Sequence, residues 1–402
     1  MPSPTPLDAA SSDAPLRGVA VVEFAGELCG YAGRLLADLG ATVTRVRLGG
    51  TATGCDVMSE AAAQAPAVDV DALFVHRDKI EVVLDPATEA GRDQLARIVA
   101  ASDIVLQPGG AEACLAGALA PETVTELGRD VIQVVLTPFG LSGPHAGYAS
   151  TDLVRLAAGG LLWLGGYPDT EPVAPYGEQS TLATGIFGAV AALLALLERD
   201  RTGRGQMIEV SAQEVLTQAL ETSIPEYEIT GNVRRRMGTL PREAGTGVFP
   251  CADGLVSVVA GRLGTSRAWS QLRQWLVEED APGAEKLWEE RWDDLAFRQR
   301  PASITRFSEI FEAFAMKHSR QELYLEAQRR NIALAPVNTP ADVLVDRQLS
   351  ARGFFMDVCD GNSGLIARIP SPPYRFLRSS IVAEPTPVPA VSSAGISTPA
   401  RD

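Results

Sequence analysis

The sequence predicts an α/β protein: a large domain built on a parallel sheet, and a smaller α+β domain set into it. Three observations carry this prediction. The N-terminal third alternates strand-like and helix-like runs, the texture becomes polar and then tryptophan-bearing from about residue 225, and alternation returns past residue 330. In order, GVAVVEFA at 18–25 reads as a strand, YAGRLLADLGA as an amphipathic helix ending at Gly40, and TVTRVRL at 42–48 as the next strand. IEVVLD at 80–85 is followed by a helix over 86–102, and strands are expected at 103–107 and 130–140. Strand, helix and strand in repetition describe a doubly wound sheet.

A helix with Asp152 as its N-cap is expected next, then a long helix over 182–199 that is apolar on nearly all faces and so should be buried. The turn TGRGQ leads to a strand and helix in MIEVSAQEVLTQAL, and VFPCADGLVSVVA reads as a strand pair before helices carrying Trp269, Trp275, Trp288 and Trp292. The expected organisation is a tail at 1–15, a large domain over 16–224, a small domain over 225–320, the C-terminal part of the large domain over 321–383, and a second tail at 384–402. Both tails are rich in Pro, Ser and Ala.

Composition narrows the function. A net charge of −15 argues against a nucleic-acid partner, whose phosphates need clustered Lys and Arg. The longest apolar run, IFGAVAALLALL at 186–197, is shorter than the roughly 20 residues that cross a bilayer. The N-terminus lacks the basic-then-apolar order of a signal peptide, so no membrane contact and a cytoplasmic location are expected. Cys29, Cys55, Cys114, Cys251 and Cys359 are scattered without a CxxC pair. His76, His145 and His318 stand apart from metal-type ligands, and no metal centre is expected.

Seven stretches in order resemble CoA-transferase family III, the group of formyl-CoA transferase, carnitine CoA-transferase and α-methylacyl-CoA racemase. They are LRGVAVVEFAG with RLLADLGATVTRV, DKIEVVLDPATEAGR, TPFGLSGP, LLALLERDRTGRGQMIEVS, FPCADGLV, IALAPVNTPADVLVDRQLSARGFF and IPSPPYRF, and they span nearly the whole chain. The resemblance implies a Rossmann-like large domain whose sheet is built from both ends of the chain, a small domain between them, and two protomers interlocked as a dimer. It also implies coenzyme A and its acyl thioesters as substrates.

In that family an aspartate carboxylate attacks the thioester carbonyl to give a mixed anhydride and free CoA thiolate. The thiolate then attacks the anhydride to leave an aspartyl-CoA thioester. A carboxylate is ionised at neutral pH and forms an acyl adduct reactive enough to pass on. The family's aspartate stands four residues before a glycine at the start of the long helix, here Gly185, and the matching residue is Thr181. A hydroxyl needs a general base and forms a stable ester, so Thr181 is expected to satisfy a backbone N–H at the helix start instead. Glu178, three residues upstream, is the alternative carboxylate.

Lys79 and Arg34 are the remaining candidates for CoA binding, against the reading that either is only a solvated or salt-bridged side chain. Other positions depart from the family: LQPGGAEAC over 106–114 is short and ends in Cys114, Arg47 and Leu48 follow the second strand, and Glu27 would repel a polyphosphate. Thr151 stands where the racemase branch has its histidine, which removes that activity from consideration.

The pattern resembles the non-catalytic E-type subunits of succinyl-CoA:benzylsuccinate CoA-transferases, partnered by a homologous aspartate-bearing chain. The alternatives are an active homodimer using Glu178 and a non-enzymatic acyl-CoA-binding scaffold.

Overall fold

The computed structural model describes residues 14–49, 70–109, 130–261, 266–359, 366–377 and 379. These fall into two units. The first takes the described residues up to Leu164, then Val173–Arg234 and those from Ala351 onward; the second takes Gly165–Pro172 and Arg235–Ser350.

The first unit opens with β1 (Ala20–Phe24), α1 (Gly30–Asp38), β2 (Thr42–Leu48), α2 (Val70–His76), β3 (Ile80–Leu84), α3 (Glu89–Ala100), β4 (Ile104–Pro108) and β5 (Ile132–Thr137). It continues with α4 (Asp152–Ala158), α5 (Gln179–Thr202), β6 (Met207–Ser211), α6 (Ala212–Gln218) and α7 (Ser223–Thr230). Six strands pair in the order β3-β2-β1-β4-β5-β6, all parallel. Every residue of β4 and β5 is buried, as expected of central strands covered on both faces. One face packs Leu28, Ala32 and Leu36 with Ile104, Leu106, Val134 and Ala192, and the other packs Phe24, Val46 and Val105 with Leu95 and Val99.

The alternation read from the sequence is present through β6. Among the described residues, however, the parallel sheet draws all its strands from Ala20–Ser211 and takes none from the C-terminal part, contrary to expectation. Past residue 330, Ala333–Pro336 pairs antiparallel in the second unit, while β10 (Phe355–Cys359) and β11 (Ile366–Pro370) form a hairpin of their own. Alternating apolar residues identify a strand but do not choose its partner.

α5 also differs from its prediction. Its small residues Gly185, Gly188, Ala189, Ala192 and Ala195 are buried, while Ile186, Phe187, Val190, Leu194 and Leu197 are about half exposed or more. Among the described residues it is the one helix long and apolar enough to cross a membrane, yet its small-residue face packs in the core beside the sheet. Its C-terminal carbonyl of Arg199 is closed by Gly203 at φ 69°, a left-handed cap that favours glycine. The N-cap of α4 is Thr151, with Asp152 as the first helical residue rather than the cap.

The second unit contains β7 (Thr246–Cys251), β8 (Gly254–Val259), α8 (Ser266–Glu278), α9 (Leu295–Arg298), α10 (Pro301–Ala315), α11 (Arg320–Arg329) and β9 (Ala333–Pro336). Its core gathers Phe249, Trp269, Trp275, Phe307, Phe311 and Phe314. Because β9 pairs with β8, with Val256 opposite Pro336, this unit extends well past residue 320, where the sequence placed its end. The anticipated tails lie outside the described residues except for Ala14 and Pro15.

A Cβ on Gly185 would lie 2.8 Å from Tyr31 Cβ and 3.0 Å from the backbone N of Ala32, so α5 touches α1 at this point. Gly185→Ala should therefore push the helices apart and destabilise the protein by about 1–3 kcal/mol. Chemical denaturation of the variant against the parent checks this: unchanged stability would contradict the close contact.

Candidate active site

The contact at Gly185 sets Thr181, one turn earlier on α5, beside the loop between β1 and α1. Thr181 is buried, and its hydroxyl lies between two charged side chains. Oγ1 donates to Glu27 Oε1 at 3.0 Å and accepts from Arg155 Nη2 at 3.0 Å. Glu27 comes from the β1–α1 loop, and its side chain is 35% exposed. Arg155 comes from α4 and is fully buried.

Arg155 is held on several sides. Nε donates to Ser180 Oγ at 2.9 Å, Nη1 donates to Ser150 Oγ at 3.1 Å and more distantly to Glu27 Oε2 at 3.4 Å, and Nη2 pairs with Glu27 Oε1. Asp152 anchors the start of α5 by accepting from Ser180 N at 2.8 Å, Ser180 Oγ at 2.6 Å and Thr181 N at 3.3 Å. A carboxylate at this position satisfies otherwise unpaired N–H groups and complements the positive end of the helix dipole.

Thr181 stands in the first turn of the helix, but its hydroxyl bonds Glu27 and Arg155 rather than the backbone N–H expected of it, and Asp152 takes the backbone N–H groups instead. The general base that a hydroxyl nucleophile needs has a candidate in Glu27, which lies within hydrogen-bond distance. Transfer of the threonine proton to Glu27 would move the negative charge from a carboxylate to an alkoxide beside Arg155, an uphill step because a hydroxyl is a far weaker acid than a carboxylic acid. Glu178 is the N-cap residue of α5; its side chain is exposed and makes no capping bond.

Sequence reasoning singled out Glu27 and Asp152 for other reasons and missed Arg155. The available signal was an arginine beside Leu156 on the inward side of a short apolar helix: Arg155 and Leu156 are fully buried, while Leu153 and Val154 are exposed.

Lys79 and Arg34 lie in a separate buried network. Lys79 Nζ is 2.6 Å from Glu23 Oε2, 2.7 Å from the Gly30 carbonyl and 3.4 Å from His76 Nδ1. Arg34 meets Asp38 at 2.8 Å and Asp78 at 3.7 Å, and Arg77 also meets Asp38, at 2.9 Å. Both candidate cations are therefore turned toward internal acids, the paired arrangement weighed from the sequence. Burial pushes the Glu23 carboxyl up and the Lys79 ammonium down. It also raises Asp38 to about 7 against the pull of Arg34. His76 is pushed down to about 2 by burial and then by Lys79, Arg45 and Arg47.

Arg47 faces Glu81 at 3.5 Å, and Thr151 Oγ1 caps Val154 N at 3.4 Å. Cys114 and the rest of 110–114 lie outside the described residues. Among the described residues no group of three or more His, Cys, Asp or Glu could hold a metal ion.

The chain belongs to CoA-transferase family III, whose sequence profile matches residues 16–392. It is 31% identical to the succinyl-CoA:(R)-benzylsuccinate CoA-transferase subunit BbsE of Thauera aromatica, across 89% of this chain and 87% of that one. It is 26% identical to a succinate–glutarate CoA-transferase of Agrobacterium fabrum, across 91% of this chain and 92% of that one. The crystal structure of a CAIB/BAIF family protein from Brucella suis superposes with a TM-score of 0.78 at 26% identity, covering 94% of this chain and 96% of the other.

Two predictions follow from these networks. Arg155→Met should destabilise the protein by roughly 1–2 kcal/mol, because it removes the donor shared by Ser180 and Thr181 while Glu27, partly exposed, turns to solvent; a denaturation midpoint equal to the parent's would contradict this. The second concerns pH. Unfolded His76 takes up a proton near pH 6.5, whereas the folded residue resists until about 2. Its contribution to stability is therefore present above pH 6.5 and is lost as pH falls through that window. Urea melts at pH 7.5 and 5 should show a smaller acid-side loss for His76→Gln than for the parent.

Proposed function

We propose that this chain is the non-catalytic subunit of a heteromeric family III CoA-transferase, paired with a homologous chain that carries the nucleophilic aspartate. The observation that carries this reading is Thr181 at the helix start, with its oxygen engaged by Arg155 and its proton directed to Glu27. A threonine ester formed there would resist opening by a carboxylate, so the hydroxyl is a poor relay for an acyl group. The likeness to a subunit named for benzylsuccinate supports succinyl-CoA as donor and an aromatic or other hydrophobic carboxylate as acceptor. The half-exposed apolar residues of α5 and the expected interlocked dimer fit a chain that completes its fold against a partner. In such a pair this chain maintains the scaffold that supports the partner's reacting site.

Co-expression with an aspartate-bearing homologue should give a stable hetero-oligomer with CoA-transferase activity, read by native mass spectrometry and an exchange assay. The chain alone should show no exchange between an acyl-CoA and a carboxylate acceptor. Intact-protein mass spectrometry should likewise find no acyl or CoA adduct. An adduct on Glu178 with turnover by a homodimer would replace this reading with the active-homodimer alternative, and an adduct on Thr181 or Glu27 would also defeat it. Tight acyl-CoA binding without turnover in any assembly would leave the scaffold reading. Thr181→Asp should not restore turnover, because the new carboxylate would face Glu27 and repel it; substantial exchange by that single variant would contradict this.

A further inference from the structure

We propose that Arg155, Ser180 and Thr181 form a carboxylate-binding site that this chain's own Glu27 occupies, closing the site to external carboxylates. The proposal rests on the reading of this helix start as the silent counterpart of a reacting site. It adds what the site recognises and what keeps it closed.

The receptor half of the site is buried and held independently of its occupant. Arg155 and Ser180 are fully buried and Thr181 is 6% exposed. From behind, Arg155 is braced by Ser180 Oγ at 2.9 Å and Ser150 Oγ at 3.1 Å. Ser180 is itself fixed by Asp152 Oδ1 at 2.6 Å. These bonds hold the guanidinium at Nε and Nη1 through groups other than Glu27. Two parallel guanidinium N–H groups are the donor fork that matches a carboxylate, and the Thr181 hydroxyl supplies a third donor.

The occupant half differs. Glu27 reaches in from a loop with 35% of its side chain exposed, and Oε2 makes only the longer 3.4 Å contact with Nη1. Its neighbours Leu28 and Cys29 are fully buried, so departure of the glutamate is a side-chain rotation with the loop backbone kept in place. A buried ion pair contributes little net stability compared with an apolar pair of similar size, so stability alone gives weak reason for a charged fork at this position. Carboxylate recognition does give a reason. The occupant that matches the Glu27 carboxyl group is a small carboxylate of acetate size.

The test uses the full chain in the assembly in which it purifies, with sodium acetate as probe and sodium chloride at matched ionic strength as control. Thermal melting of Glu27→Ala should begin below the parent in chloride and rise saturably with acetate. Its acetate midpoint should be at least tenfold lower than any seen for the parent. Glu27→Ala combined with Arg155→Met should lose the acetate response. A folded Glu27→Ala without an acetate-specific rise, an equal rise in the parent, or a rise that survives Arg155→Met would each overturn the proposal. If Glu27→Ala folds in neither salt, Glu27→Gln decides: a rise specific to acetate supports the site, and its absence overturns it. Because the readout is melting, failure here leaves the heteromeric reading intact, and an inactive heteromer leaves this proposal intact.

Discussion

The close packing of α5 on α1 is the constraint on which the rest of this site depends. Gly185 lets the two helices meet with the Tyr31 side chain and the Ala32 backbone at contact distance, and Gly188 extends the approach toward Leu136 of β5. A larger residue at either position would lift α5 from the sheet and carry Thr181 away from the β1–α1 loop. The meeting of Thr181 with Glu27 is therefore a consequence of small residues further along the helix. Packing and site chemistry are linked here through the register of one helix.

Two buried charge networks flank α1, and they differ in kind. Around Glu23, Lys79, Arg34 and Asp38, the acids and bases face one another inside the unit, and burial moves their proton affinities in the directions that disfavour charge. That network ties α1 to the residues leading into β3, since Lys79 bonds both Glu23 and the Gly30 carbonyl. Around Arg155, the cation is buried but its acid is partly exposed. Removing water from one partner more than the other produces a braced receptor and an accessible occupant, which a symmetric internal salt bridge lacks.

Much of the fold was legible in the sequence because the first five strands carry strong apolar runs and the amphipathic α1 and α3 stand between the early ones. β2 falls on TVTRVRL, and the family resemblance set the order of the later elements. Pairing was less legible: β9 is four residues long and its preference for β8 depends on contacts distant in sequence. The exposure of α5 was misread because an all-round apolar helix says only that cover is needed, without saying whether the same chain provides it. At the site, Thr181 could be located from its spacing to Gly185, but its partners could not. Glu27 and Arg155 are 128 residues apart, and local patterning places an arginine in solvent unless its acid is already known.

The helix start also explains how this fold tolerates the absence of a carboxylate at residue 181. A 24-residue helix presents unpaired N–H groups and a positive dipole end, and an acid at its first turn would ordinarily serve both. Here Asp152 does so from a neighbouring helix, accepting from the backbone of both Ser180 and Thr181. The structural demand of α5 is consequently met without residue 181. A hydroxyl there needs only its own donor and acceptor satisfied, and Glu27 and Arg155 provide one each. The packed core and the start of α5 in this chain therefore do not depend on an acid at residue 181.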